Sequence, residues 1–321
     1  MKKTGLLLAL GLAMGTAVAQ PNGGVGNQPT PDGTVSTNVN FPIESIVNPN
    51  RSDLQCAGFV SKERLPNATY VAGGLDTPNT AQYAEGDIIF LSGKSYELGK
   101  LYRIVRELRD PNRYEEFDGQ FSMLKAMGQP YAELAVVRVV DTRSKSAIAH
   151  IEFGCSPVVP GDTVTSYADR PSLPLHPPLR FDRFAPPNGR ASGRIVMAKD
   201  FDAELGTGMK VYMNLGANQG IKVGDYFRAV RSYEADLHNP VDSLSFKAST
   251  AEDTQAKPPS IDQKMFTHTS GGPVIHVASF PRRAVGEILV LETTPTTSTG
   301  MIVFAMEDMH LGDGVELDSQ Q

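Results

Sequence analysis

Short runs rich in Val, Ile, Tyr and Phe, bounded by Gly, Asp or Pro, recur along the chain from Asp87 to Val315. Runs of this length and composition favour strands over helices. In Leu101–Arg106, alternation puts Tyr102 and Ile104 on one face and Arg103 on the other. The run Tyr226–Arg231 repeats that arrangement with Phe227, Ala229 and Arg228. Gly-Asp pairs precede several runs and predict tight turns.

The pattern is duplicated. Ala135–Asp141, continuing through Ile148 to Gly161-Asp162-Thr163-Val164, aligns without a gap onto Gly286–Glu292, continuing through Thr299 to Gly312-Asp313-Gly314-Val315. The offset is 151 residues, and it matches Val139 with Val290 and Ile151 with Ile302. Upstream, Leu98–Arg106 parallels Val223–Arg231, and Asp87–Gly93 parallels Lys210–Gly216, with two extra residues between these blocks in the second copy. Matching blocks in the same order indicate duplication of a whole domain. The expected fold is mainly β: two tandem small β-barrel-like (SH3-like) domains, with short helices in their insertions.

The remaining segments set the expected boundaries. Residues 52–166 form the first β module and residues 195–318 the second. Residues 20–51, rich in Gly, Pro, Asn and Thr, are expected to be a disordered tether. Residues 167–194 hold prolines at 171, 174, 177, 178, 186 and 187, which predicts a semi-rigid linker. A long insertion, residues 234–283, interrupts the second module, and its polar part reads as a surface loop. The first module has a shorter insertion at the same place, Glu107–Ala132, in which Tyr114 to Met127 is the stretch expected to be helical.

The second copy carries Leu-Gly-x3-Gly-x3-Gly-Asp-x-Phe from Leu215 to Phe227, then Val285-Gly286-Glu287-Ile288 and Gly312-Asp313. This resembles the C-terminal domain of the bacterial flagellar assembly protein T, a small β module on a periplasmic ring protein. The resemblance covers copy two outside its insertion, and copy one more faintly. Copy one departs at Gly99-Lys100, where the family pattern has Gly-Asp. It implies a fold and an envelope setting, and it carries over no catalytic residue.

The first residues agree with that setting. Lys2 and Lys3 precede an apolar stretch from Leu6 to about Met14, and Ala17-Val18-Ala19 supplies a small-x-small cleavage pattern. The stretch is too short for a stable membrane anchor, so residues 1–19 read as a signal peptide. No later run of eighteen apolar residues follows, and no integral membrane segment is expected after cleavage. Cleavage removes two lysines and no acid, leaving 28 basic against 36 acidic residues, a formal charge of −8. That balance speaks against a nucleic-acid partner. The expected location is periplasmic or secreted. In an oxidising compartment the two cysteines, Cys56 and Cys155, permit a disulfide, with two buried free thiols as the alternative.

Candidate chemistry is sparse. Arg103 and Arg106 recur as Arg228 and Arg231, and four arginines offer an anion site, for instance for a carboxylate of cell-wall peptide. Three residues along a strand put the two arginines of a copy on opposite faces unless the strand bulges, and the plainer reading is pairing with strand neighbours. Thr269–Val274 resembles the nucleophile loop of chymotrypsin-like serine proteases, but His268-Thr269 stands where Gly-Asp is needed, and no Ala-His-Cys phrase supplies a base. His268, His276 and His238 are too widely spaced for a zinc site, and the Gly-Asp pairs read as turns. No metal and no cofactor is expected. The reading that results is an exported, non-enzymatic envelope protein that binds periplasmic proteins or peptidoglycan. An envelope hydrolase acting through Ser270 is the competing expectation.

Overall fold

The computed structural model describes residues 46–318 except 78, 94–95, 113, 171, 177–180 and 233–279. The expected signal peptide, most of the tether, Ser270 and His238, His268 and His276 lie outside the described residues. The first element is a short helix, α1 (Arg51–Gln55), with Asn50 and Asp53 forming a capping box at its start. A three-residue strand follows, β1 (Phe59–Ser61).

Six strands then close the first barrel: β2 (Tyr70–Gly74), β3 (Ile88–Ser92), β4 (Leu101–Glu107), β5 (Gln129–Asp141), β6 (Ala147–Gly154) and β7 (Thr163–Ser166). All pairings are antiparallel, in the order β5-β4-β7-β2-β3-β6 and back to β5, with β1 added on the end of β5. A helix, α2 (Gln120–Met127), sits in the insertion between β4 and β5. It is shorter than the Tyr114–Met127 stretch that composition suggests, because Gly119 takes a left-handed conformation as its N-cap.

The second barrel consists of β8 (Ser192–Ala198), β10 (Lys210–Met213), β11 (Tyr226–Arg231), β12 (Arg283–Thr293), β13 (Ser298–Ala305) and β15 (Gly314–Leu317). It closes in the same cyclic order. The two-stranded pair of β9 (Glu204–Leu205) with β14 (Met309–His310) stands where the first barrel has the single bridge between Tyr83 and Val158.

The strand registers prove the duplication residue by residue. Tyr102 opposes Val137 as Phe227 opposes Ile288, and Ile104 opposes Val164 as Ala229 opposes Val315. Register shifts fall at matching places, between Ile104 and Val105 and between Ala229 and Val230. One correction emerges. Ile88 pairs with His150, and Lys210 pairs with Met301, the equivalent of His150. Ile88 therefore matches Lys210 and not Val211, and three extra residues, not two, separate the blocks in copy two. A one-residue slip exchanges the two faces of a strand, so the distinction decides which side chains enter the core. In the corrected register the interiors correspond: Val71, Ile89, Leu91, Tyr102, Ile104, Val137, Val139, Ile151 and Val164 fill one barrel. Ile195, Val211, Met213, Phe227, Ala229, Ile288, Val290, Ile302 and Val315 fill the other.

The outer faces differ. On β5 and β6 the first barrel presents Arg138 and Glu152, which bond to each other, together with His150 and the exposed Val140. The matching positions on β12 and β13 are Leu289, Val303, Met301 and Leu291, all buried. Leu54 and Ala57 from the region of α1 cover them, joined by Ile46 and Leu173. The chain ahead of the first barrel is thus laid over the second, and Val47 N–H donates to the Val303 carbonyl at 2.9 Å.

This changes the reading of the expected spacers. Residues 46–51 belong to the fold. The described residues of 167–194 lie along the second barrel through Leu173 and Phe181, and the last three of that range already belong to β8. The insertion of the first barrel does the same: Phe117 and Met127 join the core of the second barrel, and Gln120 Nε2 donates to the Val196 carbonyl at 3.0 Å. The described residues, both barrels included, belong to one compact unit. Weak contacts made by two independent beads on a linker do not describe it.

Candidate functional site

The four repeated arginines are all engaged with carboxylates. Arg106 donates from Nε and Nη2 to the two carboxylate oxygens of Asp162 at 2.7 and 2.8 Å, and from Nη2 to the Pro157 carbonyl at 3.0 Å. Arg231 grips Asp313 at 2.8 and 2.7 Å and donates to the Asp308 carbonyl at 2.8 Å. The aspartates are held from behind by Val159 N–H and His310 N–H, each at 2.7 Å. These are the Gly-Asp turns of the two copies. Each turn therefore does two jobs: it reverses the chain, and its aspartate anchors the arginine that ends the neighbouring strand. Bidentate guanidinium–carboxylate pairing of this kind is strong and geometrically specific. The Asp162 hydrogen bond holds Arg106 above its ordinary pKa, partly offset by burial. In the first barrel Arg106 keeps an open side, with its side chain 41% exposed; Arg231 is buried at 3%.

Arg103 and Arg228 have different partners. Arg228 lies 3.4 Å from the Asp318 carboxylate and over the Phe181 ring. Arg103 lies over the Phe59 ring and enters a seam shared by both barrels. Its Nη1 is 2.6 Å from Glu133 Oε1 and 3.8 Å from Glu292 of β12. Arg170 donates to both oxygens of Glu133, at 2.7 and 2.8 Å, and pairs with Glu292. Gly58 N–H gives Glu133 another donor at 3.1 Å. Glu133 is buried, so its charge is tolerable only with this complement of partners. The structure therefore does not converge Arg103 with Arg106, or Arg228 with Arg231, on a common open site. Both strands do bulge between their two arginines, but turn and seam carboxylates occupy the guanidinium groups.

Further groups escaped the sequence reading. His176, inside the Pro-rich stretch, is buried with Nε2 2.8 Å from Glu287 Oε2, and its ring stands edge-on to Tyr226 at 4.4 Å. Burial, and then the Glu287 carboxylate, push the Tyr226 hydroxyl up to about 12. Glu307 meets Arg183, Arg283 and Arg231. Burial there pushes the carboxyl up, but the Arg283 hydrogen bond and the charges of the three arginines outweigh it and leave Glu307 below its ordinary value. The available signal was duplication itself: Arg106 and Asp162 recur together as Arg231 and Asp313.

No family model matches the chain, and no curated protein matches it. Cys56 and Cys155 form a disulfide, with 5.6 Å between their Cα atoms. It ties the end of α1, which lies on the second barrel, to the end of β6 in the first. A pocket of about 190 Å³ beside β8 and β15 is lined by Gly193, Gly314, Arg190 and Arg282 among others. Glu316 in its wall is held by Arg282 at 2.8 Å and by Asn188 N–H at 2.6 Å. Among the described residues, no group of three or more His, Cys, Asp or Glu side chains is disposed to hold a metal ion. No described helix is long and apolar enough to cross a membrane.

Proposed function

We propose that the protein is exported and acts in the cell envelope as a binding or assembly scaffold, its two duplicated barrels holding a partner protein or the peptidoglycan of the wall. The observation that carries this reading is the Cys56–Cys155 disulfide, which locks the two-barrel unit covalently. Such bonds persist in oxidising compartments, in agreement with the signal-like residues 1–19. The burial of charge supports a scaffold as well. Glu133, Asp313 and Arg231 are spent on holding the barrels in shape, a use suited to a rigid presenting surface.

Expression of the full chain in a Gram-negative host, followed by fractionation, tests the reading. A periplasmic product lacking residues 1–19, with no free thiol, that sediments with purified sacculi or crosslinks to an envelope protein supports it. A cytoplasmic product that keeps residues 1–19 overturns it. Labelling by a fluorophosphonate that disappears in Ser270→Ala would replace it with the hydrolase reading.

A further inference from the structure

The duplicated barrels carry a duplicated cradle, and among the described residues only one of the two is filled. In the second barrel the cradle is made of Gly312 in the Gly-Asp turn, the carbonyl of Val196 at the bulge of β8, and Arg194, with Leu311 before the glycine in the same core cluster as Phe117. Phe117 sits in it, with a ring carbon 2.8 Å from where a Cβ on Gly312 would stand. The Arg194 guanidinium lies over the Phe117 ring at 5.9 Å, and the Gln120 side chain donates to the Val196 carbonyl at 3.0 Å. An aromatic residue and a side-chain amide three residues later therefore make the contact together.

The strand registers name the equivalent positions in the first barrel: Gly161, Pro160, Ala72 and Tyr70. Gly161 has a positive φ of 97°, close to the 94° of Gly312, so the two turns share their backbone shape. Among the described residues, nothing lies within 4 Å of a Cβ position on Gly161. Ala72, at the same bulge as the buried Val196, is exposed, as are Pro160 and Tyr70. The first barrel thus presents Tyr70, Ala72, Pro160 and Gly161 as an open apolar cradle. Its counterpart is an established interface of this molecule.

We propose that this cradle is a binding site for a partner polypeptide that presents an aromatic side chain followed, three residues on, by a side-chain amide. Phe117 and Gln120 show the chemistry the cradle takes. The aromatic residue stacks on the turn glycine, and the amide donates to the bulge carbonyl. Tyr70 in place of Arg194 supplies a ring, which favours an aromatic anchor through edge-to-face or offset packing. The proposal rests on the scaffold reading above and gives it a site and a partner class.

The chain contains no tryptophan, so Tyr70→Trp places a unique fluorophore in the open cradle and Arg194→Trp places one in the filled cradle. Each full-length variant is titrated with a synthetic peptide copying residues 114–127. The expected result is a saturable change at residue 70, weakened about tenfold or more by Phe117→Ala in the peptide, as for loss of an aromatic anchor. The probe at residue 194 should stay silent, since the tethered segment holds that cradle at high effective concentration. Anisotropy of a labelled peptide on the wild-type chain, abolished by Ala72→Arg, gives the same answer without the tryptophan. No response at residue 70 together with no anisotropy change, or equal binding of the Phe117→Ala peptide, overturns the proposal. Self-association abolished by Ala72→Arg would assign the cradle to a second copy and also overturn it. A chain that sediments with sacculi yet ignores the peptide would keep the scaffold reading and lose this one.

Discussion

Arg231 and Asp313, 82 positions apart in sequence, face each other as a buried bidentate pair, and Arg106 and Asp162 form the same pair 56 positions apart. The two pairs differ in access to water: the Arg231 side chain is 3% exposed and that of Arg106 is 41% exposed. Removing Arg231 strands Asp313 where no water reaches it and costs about 3–5 kcal/mol. Removing Arg106 also leaves a buried carboxylate, Asp162 at 3%, but on the side where water already reaches the guanidinium, so that loss is smaller. Arg231→Met should therefore lower the urea midpoint much further than Arg106→Met. Equal losses would show that burial does not set the strength of these pairs.

Gly161 and Gly312 form a second internal control. Both have positive φ, so alanine costs each about the same in backbone strain, roughly 1–2 kcal/mol. Only Gly312 lies beneath Phe117. Gly312→Ala should thus destabilise clearly more than Gly161→Ala, and Phe117→Ala should erase most of the difference. Thermal melts of the two glycine variants, each with and without Phe117→Ala, read this directly.

Much of the barrel was legible in the sequence, and the reasons are specific. Duplication exposed the strands because core positions such as Val139 and Val290 must be apolar in both copies. The sequence favours the wrong offset for the upstream block because Gly93 and Gly216 invite alignment, and an apolar run such as Val211-Tyr212-Met213 fits either register. The arginines were legible as repeats but not as pairs, since nothing local links Arg231 to a turn 82 positions away. His176 was hidden by its neighbours: a Pro-rich stretch reads as a spacer, and only the apolar outer face of β12 and β13 reveals why it lies down. That face was itself in the sequence, as Leu289 and Met301 standing where copy one has Arg138 and His150.

Loss of the disulfide should be felt across both barrels. Cys56 and Cys155 are separated by 99 positions, and closing a loop of that size contributes up to roughly 4–5 kcal/mol in the chain-entropy view. The double variant Cys56→Ser, Cys155→Ser, and the wild-type chain under reductant, should lose stability to the same extent. Hydrogen exchange should rise in residues 46–57, where the strap crosses the second barrel.

Stability should also fall in acid through Glu307. Its folded-state value lies below the ordinary 4.5, so the unfolded chain takes up the proton first. The contribution is fully present above pH 4.5 and is lost as pH falls below it through the depressed folded value. Glu307→Gln should therefore be less stable than wild type at pH 7, and the gap should narrow on acidification below pH 4.5. A gap independent of pH would contradict the ion-pair assignment.

The central claim is that two duplicated barrels, joined by the Glu133 seam, the α1 strap and Phe117, unfold as one body. Scanning calorimetry of the full oxidised chain tests it most directly. The expected trace has one cooperative transition covering both barrels, with calorimetric and van't Hoff enthalpies in agreement. Two separated transitions, one barrel melting while the other stays folded, would contradict it.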